Sequence, residues 1–225
     1  MHNFDQFAED YVAINDRYAS FFREKTDYFA AYKAAYVARL CSVAFDGRIL
    51  DFGCGIGLVT NRLGGLLPLA RIDGVDSSAA SIARARSGAT DPSRICYFES
   101  ETELTGSYDI VVLANVLHHV PASERPAVLG RVFGLLNRGG RVVVFEHNTW
   151  NPLVMRIVRN HPFDRDAVFL PPSETARLAR AAGLMPRIDF IVFFPAFLKM
   201  LRPLERYLRM LPIGGQYACV GTKPN

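Results

Sequence analysis

A chain of 225 residues, half of them apolar, has the length and hydrophobic content for one substantial core. Its net charge of +4 is mild and its arginines are scattered, so a dedicated nucleic-acid surface is not indicated. Cys41, Cys54, Cys96 and Cys219 lie far apart with no C-x-x-C pair, which argues against a disulfide frame or a zinc site and reads as reduced thiols in a cytoplasmic protein.

The opening stretch MHNFDQFAEDYV has neither a basic nor an apolar leader region, so no signal peptide is expected. No apolar run reaches the roughly 18 residues of a membrane span. Residues 4–22 place Phe4, Phe7, Tyr11, Ile14, Tyr18, Phe21 and Phe22 at steps of three and four, the spacing of an amphipathic helix. A second helix is expected from Thr26, as N-cap, through Phe29, Tyr32, Tyr36 and Leu40. Both suit packing against a sheet domain or capping of a site, with Tyr11 and Tyr18 the residues placed to reach it.

Residues 48–57, RILDFGCGIG, read as a short apolar strand running into a turn with glycine at Gly53, Gly55 and Gly57, then a helix from Leu58. Glycines at alternate positions imply unusual dihedrals or a close approach to bare backbone. A strand, a glycine turn and a helix N-terminus together make a cradle of free N–H groups. The dinucleotide fingerprint G-x-G-x-x-G is not met, because its third glycine would fall on Leu58. Residues 71–76 read as a second strand ending in Asp76, an acid placed to accept ribose hydroxyls. A helix over 77–86 and a third strand over 94–99 follow. Tyr108–Ala114 is a continuous apolar run, as in a strand buried on both faces, and it ends at Asn115. A helix over 123–136, a turn at Asn137–Gly140 and a fifth strand over 141–145 lead to Glu146, His147 and Asn148. A long proline-marked connection, with a short helix near 153–159, precedes a helix capped by Ser173 and ended by Gly183. Strands are expected over 185–194 and 216–222. Between them, 197–211 reads as a basic amphipathic helix kinked or restarted at Pro203.

The spacing D-x-G-x-G-x-G from Asp51 to Gly57 resembles motif I of the class I S-adenosylmethionine-dependent methyltransferases, and Asp76-Ser77-Ser78 resembles their motif II. With YDIVVLANVLHHV, the resemblance covers about residues 45–147. It implies a Rossmann-like α/β fold: a doubly wound sheet of seven strands, mostly parallel with one antiparallel strand, plus a helical cap. Residues 1–45 would be that cap and 46–225 the methyltransferase domain, with cap insertions near 148–172 and 195–214. It further implies S-adenosylmethionine as cofactor, with Asp51 near the methionine amino group, Gly53, Gly55 and Gly57 admitting the cofactor, Asp76 and Ser77 at the ribose, Asn115 beside the methionine portion, and Tyr11 in a closing helix. The adenine contact falls near Ser100, flanked by Glu99 and Glu101, where this sequence departs from the family pattern.

Methyl transfer from a sulfonium needs mainly a nucleophile held in line; a base is needed where the acceptor must lose a proton. Ligands in open α/β sheets bind beyond the carboxyl ends of the strands, where His118, His119 and His147 fall; these are the candidate catalytic residues, His161 a fourth. Glu146 is equally suited to orienting a neighbour. No metal set is read. The expected acceptor is a small molecule methylated at oxygen or nitrogen, in secondary-metabolite or surface-glycan biosynthesis. The basic face of 197–211 suits a solvated surface or a peripheral membrane contact. Three other readings remain open: an NAD-linked oxidoreductase, a cofactor-binding protein without transfer activity, and methylation of a macromolecular acceptor, against which the lack of an appended basic or RNA-binding module weighs.

Overall fold

The computed structural model describes Val12, Asp16, residues 25–164 and residues 166–225. The expected helix over 4–22, with Tyr11 and Tyr18, otherwise lies outside the described residues. Among the described residues, seven strands form one sheet in the order β3-β2-β1-β4-β5-β7-β6. They are β1 (Arg48–Phe52), β2 (Arg71–Val75), β3 (Ile95–Phe98), β4 (Tyr108–Ala114), β5 (Leu136–His147), β6 (Met185–Ile191) and β7 (Gln216–Thr222). β1 to β5 run parallel, and β7 lies antiparallel between β5 and β6. This is the expected mixed sheet. β1 and β4 are adjacent although β2 and β3 intervene in sequence, so the strand order reverses at the end of β1, the place where such sheets hold ligands.

Alternate residues of the central strands feed two cores. Leu50, Val111, Val142 and Val144 pack with Val128, Leu129 and Val132 of α4 (Arg125–Leu135) and with Leu178 and Ala179 of α6 (Pro172–Ala181). Ile49, Ile72, Val112, Val143 and Phe145 pack on the opposite face with Ala34 and Val37 of α1 (Thr26–Ala38) and Leu63 of α2 (Leu58–Leu66). Strands buried on both faces need unbroken apolar runs, which is why 108–114 shows no polar alternation. Each such Val, Leu or Ile contributes about 1.5–3 kcal/mol on burial. α3 (Ala79–Ser87) covers the β3 end, and α5 (Pro152–Val158) lies in the insertion after β5.

Four local expectations are corrected. Thr26 is the first helical residue rather than the cap, and its N–H and hydroxyl both donate to Asp16 Oδ1 at 2.7 Å. Ser173 is likewise inside its helix: Pro172 occupies the first turn, where a missing N–H costs nothing. The segment Asn137–Gly140 is no separate turn but an irregularity inside β5, where the pairing to β4 shifts between Tyr108 and Ile110. Residues 197–211 do not form one α-helix. A 3₁₀ helix, Ala196–Leu204, is broken by non-helical dihedrals at Leu198, and a short α7 (Glu205–Leu208) follows. Pro203 removes a donor and crowds the preceding turn, and 3₁₀ geometry is the usual form of such short pieces.

Candidate active site

The C-terminal ends of β1, β2, β4 and β5 meet at one edge. Gly53, Gly55 and Gly57 all adopt positive φ, at 76°, 51° and 78°, which other residues take only under strain. Neighbours also enforce two of them. A Cβ at Gly53 would lie 2.6 Å from Val116 Cγ2, and one at Gly57 would overlap the Tyr97 hydroxyl. Gly55 differs: nothing lies within 4 Å of a Cβ built there. The first and third glycines are required by the protein's own packing, and the middle one looks onto open space. α2 starts directly after Gly57 with no side-chain cap on its N-terminus.

Asp76, just beyond β2, binds both sides of this lip. Its Oδ2 accepts from Gly55 N–H at 2.8 Å and its Oδ1 from Ser78 N–H at 2.9 Å. A carboxylate offers about four acceptor positions, so two remain on this half-buried side chain. Ser77 is exposed beside it, and Ser78 caps α3. Asp51 lies beneath the lip, 1% exposed. Its Oδ2 accepts from the Thr60 hydroxyl at 2.7 Å, while its Oδ1 is buried with no partner. Burial pushes the Asp51 pKa up to about 6 against the Thr60 bond, with Asp76 adding to the rise and Lys33 opposing it. An orphaned buried carboxylate oxygen is costly, and a cationic or N–H-bearing ligand would satisfy it.

Across the edge, Asn115 directly follows β4 at φ 62°, a left-handed conformation that asparagine tolerates better than most residues. Its side chain joins two elements. Oδ1 accepts from the Lys33 ammonium of α1, and Nδ2 donates to His147 Nε2 at 2.9 Å. Burial pulls Lys33 down to about 8, against the attraction of Glu146 and Asp51. Burial also brings His147 down to about 4, which keeps it neutral.

Three of the four histidines singled out in the sequence, His118, His119 and His161, converge on one acid, Asp164, which sequence reasoning missed. His118 is buried between Glu146, whose Oε2 lies 2.5 Å from Nδ1, and Asp164, whose Oδ1 lies 3.3 Å from Nε2. Burial alone would lower the His118 pKa, but Glu146 and Asp164 outweigh it and raise it. Glu146 Oε1 also accepts from the N–H groups of Leu117 and His118, so this acid does orient its neighbour. His119 Nε2 lies 3.5 Å from the same Asp164 oxygen, and His161 Nδ1 lies 3.9 Å from the other one. The Phe169 ring packs on His118 and His147 at 5.5 and 5.9 Å. Donor atoms of His118, His119 and Asp164 all lie within 4.8 Å of one another, a set that would hold a metal ion.

Arg125, 1% exposed, locks these loops together. It donates to the carbonyls of Leu117 and Val120, both at 3.0 Å, and of Val168 at 2.6 Å. Val168 N–H in turn donates to the His118 carbonyl at 2.9 Å. The insertion after β5 is thereby tied to the loop after β4.

The structure therefore brings Asp51, the three glycines, Asp76, Asn115, His118, His119 and His147 to one edge. Ser100 is turned to its own backbone: its Oγ accepts from Thr102 N–H at 3.2 Å and its N–H donates to Glu103 Oε1 at 2.9 Å. Tyr11 lies outside the described residues. Lys33 and Thr60 were missed as well. A cleft of about 500 Å³ bounded by Thr149, Trp150, Met155, Arg156 and Arg159 opens on the insertion after β5 and shares no lining residue with the lip.

Comparison with known proteins agrees with this geometry. Residues 50–142 match the family model described as a methyltransferase domain. A ubiquinone biosynthesis O-methyltransferase from Bordetella parapertussis is 32% identical over 156 residues, 62% of this chain and 62% of that protein. The chain thus matches about three fifths of that relative's length. Among solved structures, an S-adenosylmethionine-dependent methyltransferase from Archaeoglobus fulgidus superposes with a TM-score of 0.69 at 15% identity, covering 91% of this chain and 97% of the other. Magnesium protoporphyrin IX methyltransferase from Synechocystis with bound S-adenosylhomocysteine gives 0.62 at 15% identity, covering 88% and 83%. Sheet order, the open middle glycine and the matched region converge: residues 50–142 are similar to a methyltransferase domain, and the fold is the one seen in solved S-adenosylmethionine-dependent methyltransferases.

Proposed function

We propose that this protein binds S-adenosylmethionine along the Gly53–Gly57 lip and transfers its methyl group to an oxygen of a small hydroxylated acceptor. The observation that carries the reading is the pairing of an unpartnered buried Asp51 oxygen with empty space in front of Gly55. A ligand with a cationic end and a flat nucleoside satisfies both. Asp51 would hold the ammonium, and the spare acceptor positions of Asp76 would take the ribose hydroxyls. Asn115, fixed by Lys33 and His147, would line the methionine side. When bound, the sulfonium would supply an already activated methyl carbon and a sulfur leaving group that keeps the electron pair.

What the chain itself must supply is position, dryness and a destination for the acceptor's proton. Holding the two reactants together supplies about 7–11 kcal/mol of the barrier reduction. Of the two histidines beside Asp164 Oδ1, His119 has the more accessible edge, its side chain 21% exposed against 1% for His118. It is placed to take the proton, with Asp164 orienting it. His118 is committed to Glu146 and acts as a support, and neutral His147 holds Asn115. Oxygen is favoured over nitrogen as the accepting atom because the relative aligned above is named for O-methylation. The exposed Phe197, Met200, Tyr207 and Met210 among Lys199, Arg206 and Arg209 support presentation of the acceptor at an anionic membrane surface, which vesicle sedimentation would test.

Calorimetric titration with S-adenosylhomocysteine and, separately, with NADH tests the cofactor. Binding of the former is expected; binding of NADH alone would make the protein a dinucleotide enzyme. Release of S-adenosylhomocysteine on incubation with hydroxylated aromatic acceptors distinguishes a transferase from a cofactor-binding protein without transfer activity.

A further inference from the structure

We infer that His118, His119 and Asp164 form a binding site for one zinc-class divalent ion, at the place where the acceptor's oxygen would sit. The first argument is distance. His118 Nε2 and His119 Nε2 lie 3.3 and 3.5 Å from the same oxygen of Asp164. A good N–H···O hydrogen bond is about 2.7–3.2 Å, so both separations are long for one. Two ligands each about 2.0–2.2 Å from a tetrahedral ion stand about 3.3–3.5 Å apart, the separation found here.

The second argument is chemistry. Two imidazole nitrogens and one carboxylate oxygen suit zinc, cobalt or iron rather than magnesium or calcium, which prefer all-oxygen sets. Three protein donors leave a coordination position open, the pattern of catalytic rather than structural sites.

The third argument is support. A metal-binding imidazole commonly donates its other nitrogen to a carboxylate, which fixes the ring. His118 Nδ1 does this to Glu146, which is itself held by the Leu117 and His118 N–H groups. The loops carrying the donors are locked by the three carbonyl bonds of Arg125.

The ion would bind the acceptor hydroxyl, lower its pKa and release its proton to water, replacing His119 as the means of making the nucleophile. That catalytic role rests on the methyltransferase reading; ion binding itself does not. The test uses full-length, tag-free protein stripped with a chelator and titrated with Co²⁺, whose visible absorption reports coordination number. One Co²⁺ per chain is expected, with the intense bands of a four- or five-coordinate site, displaced by Zn²⁺. Asp164→Asn and His119→Gln should each weaken Co²⁺ binding at least tenfold. S-adenosylhomocysteine binding by the same variants checks that they are folded. Two results overturn the proposal: no Co²⁺ bound at about 1 mM by protein that binds S-adenosylhomocysteine, or binding unchanged in both variants, which would mean an adventitious ion only. Co²⁺ binding without any S-adenosylhomocysteine binding would leave the ion site standing and remove the methyltransferase reading instead.

Discussion

Gly55→Ala separates the lip's structural duty from its binding duty. Gly55 sits at φ 51°, where a residue with a Cβ loses about 1–2 kcal/mol. Part of this is offset, because alanine has less backbone freedom to lose on folding, by about 0.4–1 kcal/mol. No atom lies within 4 Å of the new methyl, so no collision is added. The net cost is about 1 kcal/mol, a fall in Tm of about 2–4 °C for a chain of this length. The methyl nonetheless enters the space assigned to the cofactor. Overfilling a packed contact costs about 1–3 kcal/mol, so S-adenosylhomocysteine affinity should fall about ten- to hundredfold. Gly57→Ala is the counterpart. It combines φ 78° with overlap on the buried Tyr97 hydroxyl, and it should cost about 3 kcal/mol in stability. Thermal melts without ligand and calorimetry with S-adenosylhomocysteine read the two effects. Gly55→Ala protein with wild-type affinity would refute the argument, since the open space would then not be the cofactor's.

Asp76→Ala should weaken S-adenosylhomocysteine by about 1–3 kcal/mol in the same calorimetric assay, as for a lost hydrogen bond to a charged group. Asp51 makes cofactor binding pH-dependent. Its pKa is raised to about 6 in the folded protein, so between about pH 4 and 6 the native state holds a proton that the unfolded chain has released. Apo stability from this group therefore falls as pH rises through that window and is lowest above pH 6; Asp51→Asn should flatten the melts measured there. Binding a cationic ammonium needs the ionised acid, so affinity should drop by up to tenfold per unit below about pH 6 in wild type but not in Asp51→Asn. Arg125→Ala strands the buried Leu117 carbonyl and frees two partly buried ones, and should cost about 2–4 kcal/mol by urea denaturation; a loss under 1 kcal/mol would mean the loops hold without the clamp.

The placing of the Gly53–Gly57 lip and its neighbours was legible because these residues are local. Asp51, the glycines, Asp76 and Asn115 all stand at strand ends, where a two-residue period gives way to a turn, and the sheet edge follows from strand order alone. The histidine cluster was legible only in part: His118, His119 and His147 follow from the strand ends, but their acid does not. Asp164 sits in a loop among other charges, and nothing in HPFDRD marks which acid faces inward. Its meeting with His118 and His119 depends on Arg125 pulling two loops together. Lys33 lies on an otherwise apolar helix stripe, where a lysine normally snorkels to water rather than to an asparagine on the next layer. The stretch 197–211 shows the limit of periodicity: its apolar spacing fits 3.6, but Pro203 and the break at Leu198 leave room only for shorter turns.

A crystal structure of the S-adenosylhomocysteine complex tests the central claim most directly. The adenosine should lie against Gly53–Gly57 with its ribose hydroxyls on Asp76 and its ammonium within hydrogen-bond reach of Asp51 Oδ1. A nucleoside bound elsewhere, or an Asp51 oxygen still unpartnered in the complex, would contradict it.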